Sequence, residues 1–279
     1  MRPLTVASEH PCATCVRKGR NDMTETILCS SPRPGVLLIT LNRPDKRNAL
    51  SLEMLERLAE TLDDARANED VRSVVLAGNE KAFCAGTDIT EMVESGLAAI
   101  ESPRRNRAWR TIEVFPKPLI AAIAGFAFGG GHELAMLCDI VIAGEKARFG
   151  QPEINIGVLP GDGGTQRIPR QVGKSLAMKM ILSGEPLDAE TAWRAGLVAE
   201  VVQHDRTLER ALDLAETIAQ KPPITVRLAK QAVLAAYDTT LAMGLRVERQ
   251  AIALAFETED RAEGMNAFVE KRPPRFRGR

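Results

Sequence analysis

The chain has no net charge: 37 Lys and Arg residues balance 37 Asp and Glu residues, and the pI is near 6.9. Without a global positive field it has nothing to hold nucleic acid or an anionic membrane at long range. An anionic ligand must be gripped by a local patch. Long apolar runs are missing too. Stretches such as "PLIAAIAGFAF" fall short of the ~20 residues that a membrane helix needs. Cysteine is sparse and odd in number, five in 279 residues. That is no disulfide framework, and it points to the cytosol or an organelle matrix. Cys12 and Cys15 have redox or zinc spacing, but no second pair follows and the flanking pattern of a thioredoxin is absent. Histidine is scarce, with only His10, His132 and His204. They form no His-x-x-x-His pair and no cluster with carboxylates, so no metal site is expected. There is no Gly-x-Ser-x-Gly elbow, which argues against a serine hydrolase.

What is present suits a large globular core, since 44% of the residues are hydrophobic. Residues 1–23 are polar and aperiodic and read as a leader. They contain no apolar stretch of about 7–15 residues, so a secretory signal is not expected. Glu9 and Asp22 argue against a transit peptide. The expected location is the cytoplasm, with a mitochondrial matrix as the lesser alternative. The core is expected over 24–205 and a helical region over 206–279. "GVLLITLNRP" reads as a strand. "SLEMLERLAETLDDARAN" reads as a helix capped by Ser51, with Leu52, Leu55, Leu58, Leu62 and Ala65 at helical spacing. "VRSVVLAG", "PLIAAIAG" and "IVIAG" read as buried strands. Residues 99–108 read as a polar surface excursion, and "INIGVLPGDGGTQRIPRQVG" as irregular. Helices are expected at 206–220, 224–237, 239–258 and 260–271. Strand–helix alternation followed by helices alone predicts an α/β fold with a helical C-terminal subdomain.

The segment "GFAFGGGHELAMLCD" places three glycines, Gly129 to Gly131, at the head of an apolar helix. Glycine there costs about 1 kcal/mol each relative to alanine. The first amides of a helix have no internal acceptor and carry the positive end of its dipole. Side-chain-free residues let a ligand oxygen approach them. A phosphate or a carbonyl becoming an enolate would suit. Both phosphate motifs fail on spacing: Leu134 stands where a third glycine belongs, and His132-Glu133 follow where a P-loop needs Lys-Ser/Thr. Close strand–helix packing is the plain alternative. A second glycine turn, "FCAGTD", offers another amide near Thr87, and two amides converging on one oxygen form an oxyanion hole.

Two carboxylates accompany these turns. Glu133 lies in the first turn of the apolar helix, and Glu153 lies between an apolar strand and a glycine-rich loop. Each alone is compatible with an ordinary role, as a dipole-favoured glutamate or a surface residue. Together they can serve as general acid and base, with burial raising their pKa values. His132, the neighbour of Glu133, points to another side of the helix and reads as a packing or supporting residue.

The motifs "LNRPDKRNALS", "KAFCAGTDITEM", "KPLIAAIAGFAFGGGHELAMLCDI", "FGQPEINIGVLPGDGGTQRIPR" and "EGMNAFVEKR", running from about 25 to 275, resemble those of the enoyl-CoA hydratase (crotonase) family. The resemblance implies a spiral of β-β-α repeats, with C-terminal helices that assemble trimers or paired trimers. It implies a CoA thioester substrate and no metal or redox cofactor. Thr87 and Gly130 match the oxyanion-hole donors, and Glu133 and Glu153 match two catalytic glutamates. Glu133 would activate water at the β-carbon and Glu153 would deliver a proton to the α-carbon of a trans-2-enoyl-CoA. Lys46, Arg47 and Ala49, with Ala85, Asp88 and Ile89, fall where the family holds CoA. Phe268 and Lys271 match residues that reach it from the C-terminal helices. Keeping both glutamates favours a hydratase over a double-bond isomerase, the nearest rival. Some relatives bind RNA, but "SPRRNRAWR" has a single aromatic residue and the chain no net charge, so nucleic acid is not an expected partner.

Overall fold

The computed structural model describes residues 25–279; the expected leader, with Cys12 and Cys15, lies outside the described residues. Two antiparallel strands come first, β1 (Ile27–Arg33) and β2 (Val36–Leu41), joined at Gly35, whose φ of 73° is left-handed. β1 is not among the expected strands. "ILCSSPR" is polar by local preference, and its pairing with β2 overrides that preference. Ser51 caps α1 (Leu52–Ala67) as expected, its side chain accepting from the Met54 amide. Met54, Leu55, Leu58, Leu62 and Ala65 face the core.

Three β-β-α turns follow. β3 (Ser73–Ala77) and β4 (Ala82–Cys84) lead to α2 (Ile89–Ser95), α3 (Ala98–Glu101) and α4 (Pro103–Glu113). β5 (Leu119–Ile123) and β6 (Phe126–Phe128) lead to α5 (Gly130–Leu137). β7 (Ile140–Gly144) and β8 (Arg148–Gly150) lead through a 3₁₀ turn at Pro152–Ile156 to α6 (Gly164–Val172) and α7 (Lys174–Ser183). Then come β9 (Leu187–Asp188), α8 (Ala189–Arg194) and β10 (Glu200–Val202). The first strand of each turn joins a six-stranded sheet ordered β1-β2-β3-β5-β7-β10, and the second joins a four-stranded sheet ordered β4-β6-β8-β9. β3, β5 and β7 are parallel neighbours, as are β4, β6 and β8. This is the α/β spiral of β-β-α repeats.

The apolar strand runs are explained by burial on both faces. Val74, Leu76, Ala121, Ile123 and Val141 pack toward α1 and the small sheet. The alternate residues Val75, Ala77, Ile120, Ala122 and Ile142 lie under α9 (Thr207–Ala219), against Ala211, Leu212 and Ala215. Three further helices complete the chain: α10 (Pro223–Asp238), α11 (Leu241–Phe256) and α12 (Glu259–Val269). α10 carries no buried residue and leaves Val233 and Leu234 exposed. Among the described residues, no helix is long and apolar enough to cross a membrane.

Three expectations need correction. Residues 99–108 are not a surface excursion but run into α4. Ser102 caps it and Pro103 opens it. Arg105, Ala108 and Ile112 form its buried stripe, with Arg105 only 1% exposed. A buried arginine hides this stripe from a hydrophobic count. Between Gly125 and Gly129 the chain makes another strand, β6, where a simple turn was expected. Finally, the segment from 154 to 173 is not wholly irregular, because it ends in α6.

Candidate active site

The turn after β4 and the turn after β6 lie side by side. The first is pinned by α1's leading segment: the Leu50 amide donates to the Gly86 carbonyl at 2.8 Å, and the Asp88 amide to the Leu50 carbonyl at 2.9 Å. Gly86, at φ 113°, backs onto the second turn, and a Cβ on it would stand 3.6 Å from the Gly130 nitrogen. A Cβ on Gly130 would stand 3.3 Å from the Thr87 nitrogen and 3.0 Å from Thr87 Oγ1. The two amide nitrogens therefore lie close to one another. Neither donates to a protein acceptor among the described residues. Gly130 is the first residue of α5, where amides lack helical partners and the helix dipole is positive.

The three glycines have three separate reasons. Gly129 adopts a φ of 51° and leaves room for Glu153, whose Oε1 would be 2.9 Å from an added Cβ. Gly131 packs on β4, where a Cβ would fall 2.5 Å from the Cys84 carbonyl oxygen. Gly130 faces Thr87, and a Cβ on it would crowd both the Thr87 hydroxyl and the Thr87 amide nitrogen. Tight packing thus accounts for Gly131, while at Gly130 the absent side chain keeps the neighbourhood of the Thr87 amide clear.

Glu133 is 1% exposed. Its Oε1 accepts from the Asp162 amide at 2.9 Å and the Gly164 amide at 2.7 Å. Burial pushes its pKa up to about 7, helped by the charges of Asp162 and Glu153, while the two amides oppose the rise. Glu153, on the 3₁₀ turn after β8, is half-buried. Burial raises its pKa to about 6, with Asp162 adding to the rise. The structure thus brings the two glutamates within electrostatic reach of each other. Gln151 connects Glu153 to α5. In the orientation that satisfies both neighbours, its amide nitrogen donates to Glu153 Oε1 at 2.8 Å and Oε2 at 3.1 Å, and its oxygen accepts from His132 Nδ1 at 3.3 Å. Burial pushes the His132 pKa down to about 4, so the ring is neutral. His132 is a supporting residue, as its neighbour position suggested.

The expected CoA-contact residues divide into two groups. Lys46 and Arg47 are exposed on a 3₁₀ turn that ends in left-handed backbone at Arg47 and Asn48. Half-buried Ala49 follows them, and the Arg47 carbonyl accepts from the Ala85 amide at 3.1 Å. This loop therefore lies against the Thr87 turn. Ile89 is exposed at the start of α2. The Asp88 carboxylate is already engaged: it pairs with Arg43 at 2.9 Å and caps α2 through the Thr90 amide. Phe268 and Lys271 stand exposed at the end of α12, and no hydrogen bond or ion pair joins them to the slot among the described residues.

Three residues that the sequence reading passed over belong to the site: Gln151, Asp162 and Arg105. The Arg105 guanidinium is paired with the Asp162 carboxylate and donates to Thr87 Oγ1 at 3.2 Å. A spacing signal exists for Gln151, two residues before Glu153. Arg105 and Asp162 are 57 positions apart and meet only through the fold. Among the described residues, no group of three or more His, Cys, Asp or Glu side chains could hold a metal ion.

Two desolvated carboxylates, Glu133 feeling the charge of Glu153, beside two amides without a protein acceptor are the equipment of an acid–base enzyme acting on a carbonyl compound. The sequence profile of the enoyl-CoA hydratase/isomerase family matches residues 32–279, and the chain belongs to that family. It is 49% identical to the 2,3-dehydroadipyl-CoA hydratase of Escherichia coli over 257 residues, covering 92% of this chain and all of that one. It is 46% identical to the mitochondrial enoyl-CoA hydratase of Pongo abelii over 240 residues, covering 86% and 83%. The solved structure of an enoyl-CoA hydratase from Bacillus anthracis superposes with a TM-score of 0.85 at 40% identity, covering 91% of this chain and all of that one.

Proposed function

We propose that the protein is a hydratase that adds water across the double bond of a trans-2-enoyl-CoA to give a 3-hydroxyacyl-CoA. The observation that carries this reading is the pair of unpartnered amides, Thr87 and Gly130, beside Glu133 and Glu153. The thioester oxygen accepts from both amides and gains enolate charge in the transition state, when those donors matter most. Glu133 has Oε1 fixed by two backbone amides, which leaves Oε2 to orient water at the β-carbon and take its proton. The water oxygen bonds to the β-carbon while Glu153 delivers a proton to the α-carbon. No electrons change hands, so neither metal nor redox cofactor is required. Burial raises the pKa of both glutamates, so each can exchange a proton near neutral pH. Glu153 is the more exposed of the two. A substrate covering the site therefore desolvates Glu153 further and favours the protonated form that donates to the α-carbon.

The CoA moiety lies along the 44–50 loop, with Lys46 and Arg47 facing its phosphates and Ala49, Ala85 and Ile89 along its pantetheine. Phe268 and Lys271 reach it across a subunit boundary of a trimer or hexamer. Exposed Val233, Leu245, Leu254 and Phe256 on α10 and α11 support that assembly. Light scattering is expected to give a mass that is a multiple of three protomers; a monomer would remove the assembly. We propose a cytoplasmic location, supported by bacterial relatives such as the E. coli hydratase.

The test of the reaction is loss of the conjugated enoyl-thioester ultraviolet band from crotonyl-CoA. 2,3-Dehydroadipyl-CoA, the compound in the E. coli relative's name, serves as the second substrate. Loss of the band with either supports hydration. No loss with either, together with appearance of the band from a 3-enoyl-CoA, would replace the hydratase by an isomerase.

A further inference from the structure

Arg105 is the largest side chain among those fully buried in the described residues. It lies on α4, outside both glycine turns. Its guanidinium touches Asp162 and Thr87 Oγ1, stands 5.7 Å from the Trp109 ring centre, and leaves Nε buried without an acceptor. Burying a guanidinium costs several kcal/mol unless it is paired and hydrogen-bonded. A core that needed only volume here would use an apolar residue.

The two partners are what make the position informative. Thr87 supplies one of the two open amides. Asp162 holds Glu133 through its own amide, and its carbonyl accepts from Arg167 Nη1 at 2.9 Å. One guanidinium thus joins the turn that carries an amide donor to the loop that holds a glutamate. We propose that Arg105 and Asp162 act as a positioning pair, fixing the distance from the amide floor to Glu133 and setting the charge that Glu133 feels. The proposal rests on the hydratase reading for its catalytic consequence, but its physical content is independent of turnover.

The charges facing Glu133 are Glu153 on the turn after β8 and Asp162 on the loop before α6, with Arg105 and Arg167 behind Asp162; His132 on the same helix is neutral. Burial holds the Asp162 pKa up, while Arg105 and Arg167 pull it down and favour the charged form. That negative charge disfavours ionisation of Glu133. Removing it must lower the pH at which Glu133 ionises.

The test compares wild type, Asp162→Asn, Arg105→Met, Arg105→Lys and the double variant Arg105→Met/Asp162→Leu. Carboxyl ¹³C NMR of labelled glutamate is expected to show the Glu133 midpoint falling by about one pH unit in Asp162→Asn. The acid limb of kcat/KM should move the same way. In Arg105→Met, kcat should fall roughly tenfold with KM little changed, because geometry and not substrate affinity is lost. Arg105→Lys should recover part of the loss. The double variant replaces a buried pair by apolar groups and should fold, yet remain slow. An unmoved Glu133 midpoint in Asp162→Asn, or wild-type kcat in the folded double variant, would overturn the proposal. Wild type inactive on every enoyl-CoA would instead sink the hydratase reading, leaving the NMR midpoint to judge the pair.

Discussion

Glu153→Gln and Glu133→Gln are each expected to lower kcat for crotonyl-CoA hydration by ~10²–10⁴, the usual worth of one acid–base group. Glutamine is nearly isosteric and keeps one acceptor oxygen. In Glu133→Gln that oxygen still takes the Asp162 and Gly164 amides, so the loop before α6 stays in place. Stability supplies the control. Glu133 has a folded-state pKa near 7 against an ordinary 4.5, so folding favours its protonated form. Its favourable contribution is complete below 4.5 and is lost as pH rises through about 7. Glutamine escapes that loss. Glu133→Gln should therefore unfold at a higher temperature than wild type at pH 8, with the advantage shrinking toward pH 4. Slow turnover in a more stable protein cannot be blamed on misfolding. Combining both substitutions should cost much less than the product of the single effects, because the pair acts as a unit. Wild-type turnover in both single variants would remove the glutamates from the mechanism.

The fold was legible wherever burial is two-sided or one-sided in a regular way. β3, β5 and β7 are unbroken apolar runs because both faces are covered. α1 shows a helical stripe and a serine cap. What the sequence hid was polar residues in buried positions. "ILCSSPR" is held as β1 by its partner strand. α4 buries an arginine where a leucine would have announced the stripe. The same cause divides the candidate site. Glu133 stands out because a carboxylate in an apolar, glycine-headed helix is locally odd, and Thr87 and Gly130 stand out as the residues of two glycine turns. Family resemblance then joined segments that no local pattern connects. Gln151 reads as a loop amide until its contact with both Glu153 and His132 is seen. Asp162 sits in "PGDGG", where a turn explains it fully, and only the fold places its amide on Glu133 and its carboxylate on Arg105.

Gly130→Ala is expected to cut kcat by ~10²–10³, the loss typical of one oxyanion donor, while leaving the fold intact. The backbone permits alanine, since Gly130 is absent from the positive-φ glycines, and alanine favours a helix over glycine by about 1 kcal/mol. Its methyl would stand 3.3 Å from the Thr87 nitrogen and 3.0 Å from Thr87 Oγ1. The hydroxyl has to give by a few tenths of an ångström while staying within reach of Arg105 Nη2, and the amide cannot move, so the methyl takes space that the thioester oxygen needs. Gly131→Ala provides the contrast one residue along. There the added carbon meets the Cys84 carbonyl oxygen at 2.5 Å and Cys84 Cβ at 2.6 Å, contacts that only separation of α5 from β4 can relieve. That variant should lose stability by about 1–3 kcal/mol, as overpacked cores do. Thermal melts and crotonyl-CoA turnover on the two variants separate the roles. Gly130→Ala should melt close to wild type and turn over slowly, and Gly131→Ala should melt lower than both. If Gly130→Ala hydrates crotonyl-CoA at the wild-type rate, the space beside Thr87 does not hold the thioester oxygen, and the glycine is there for packing alone.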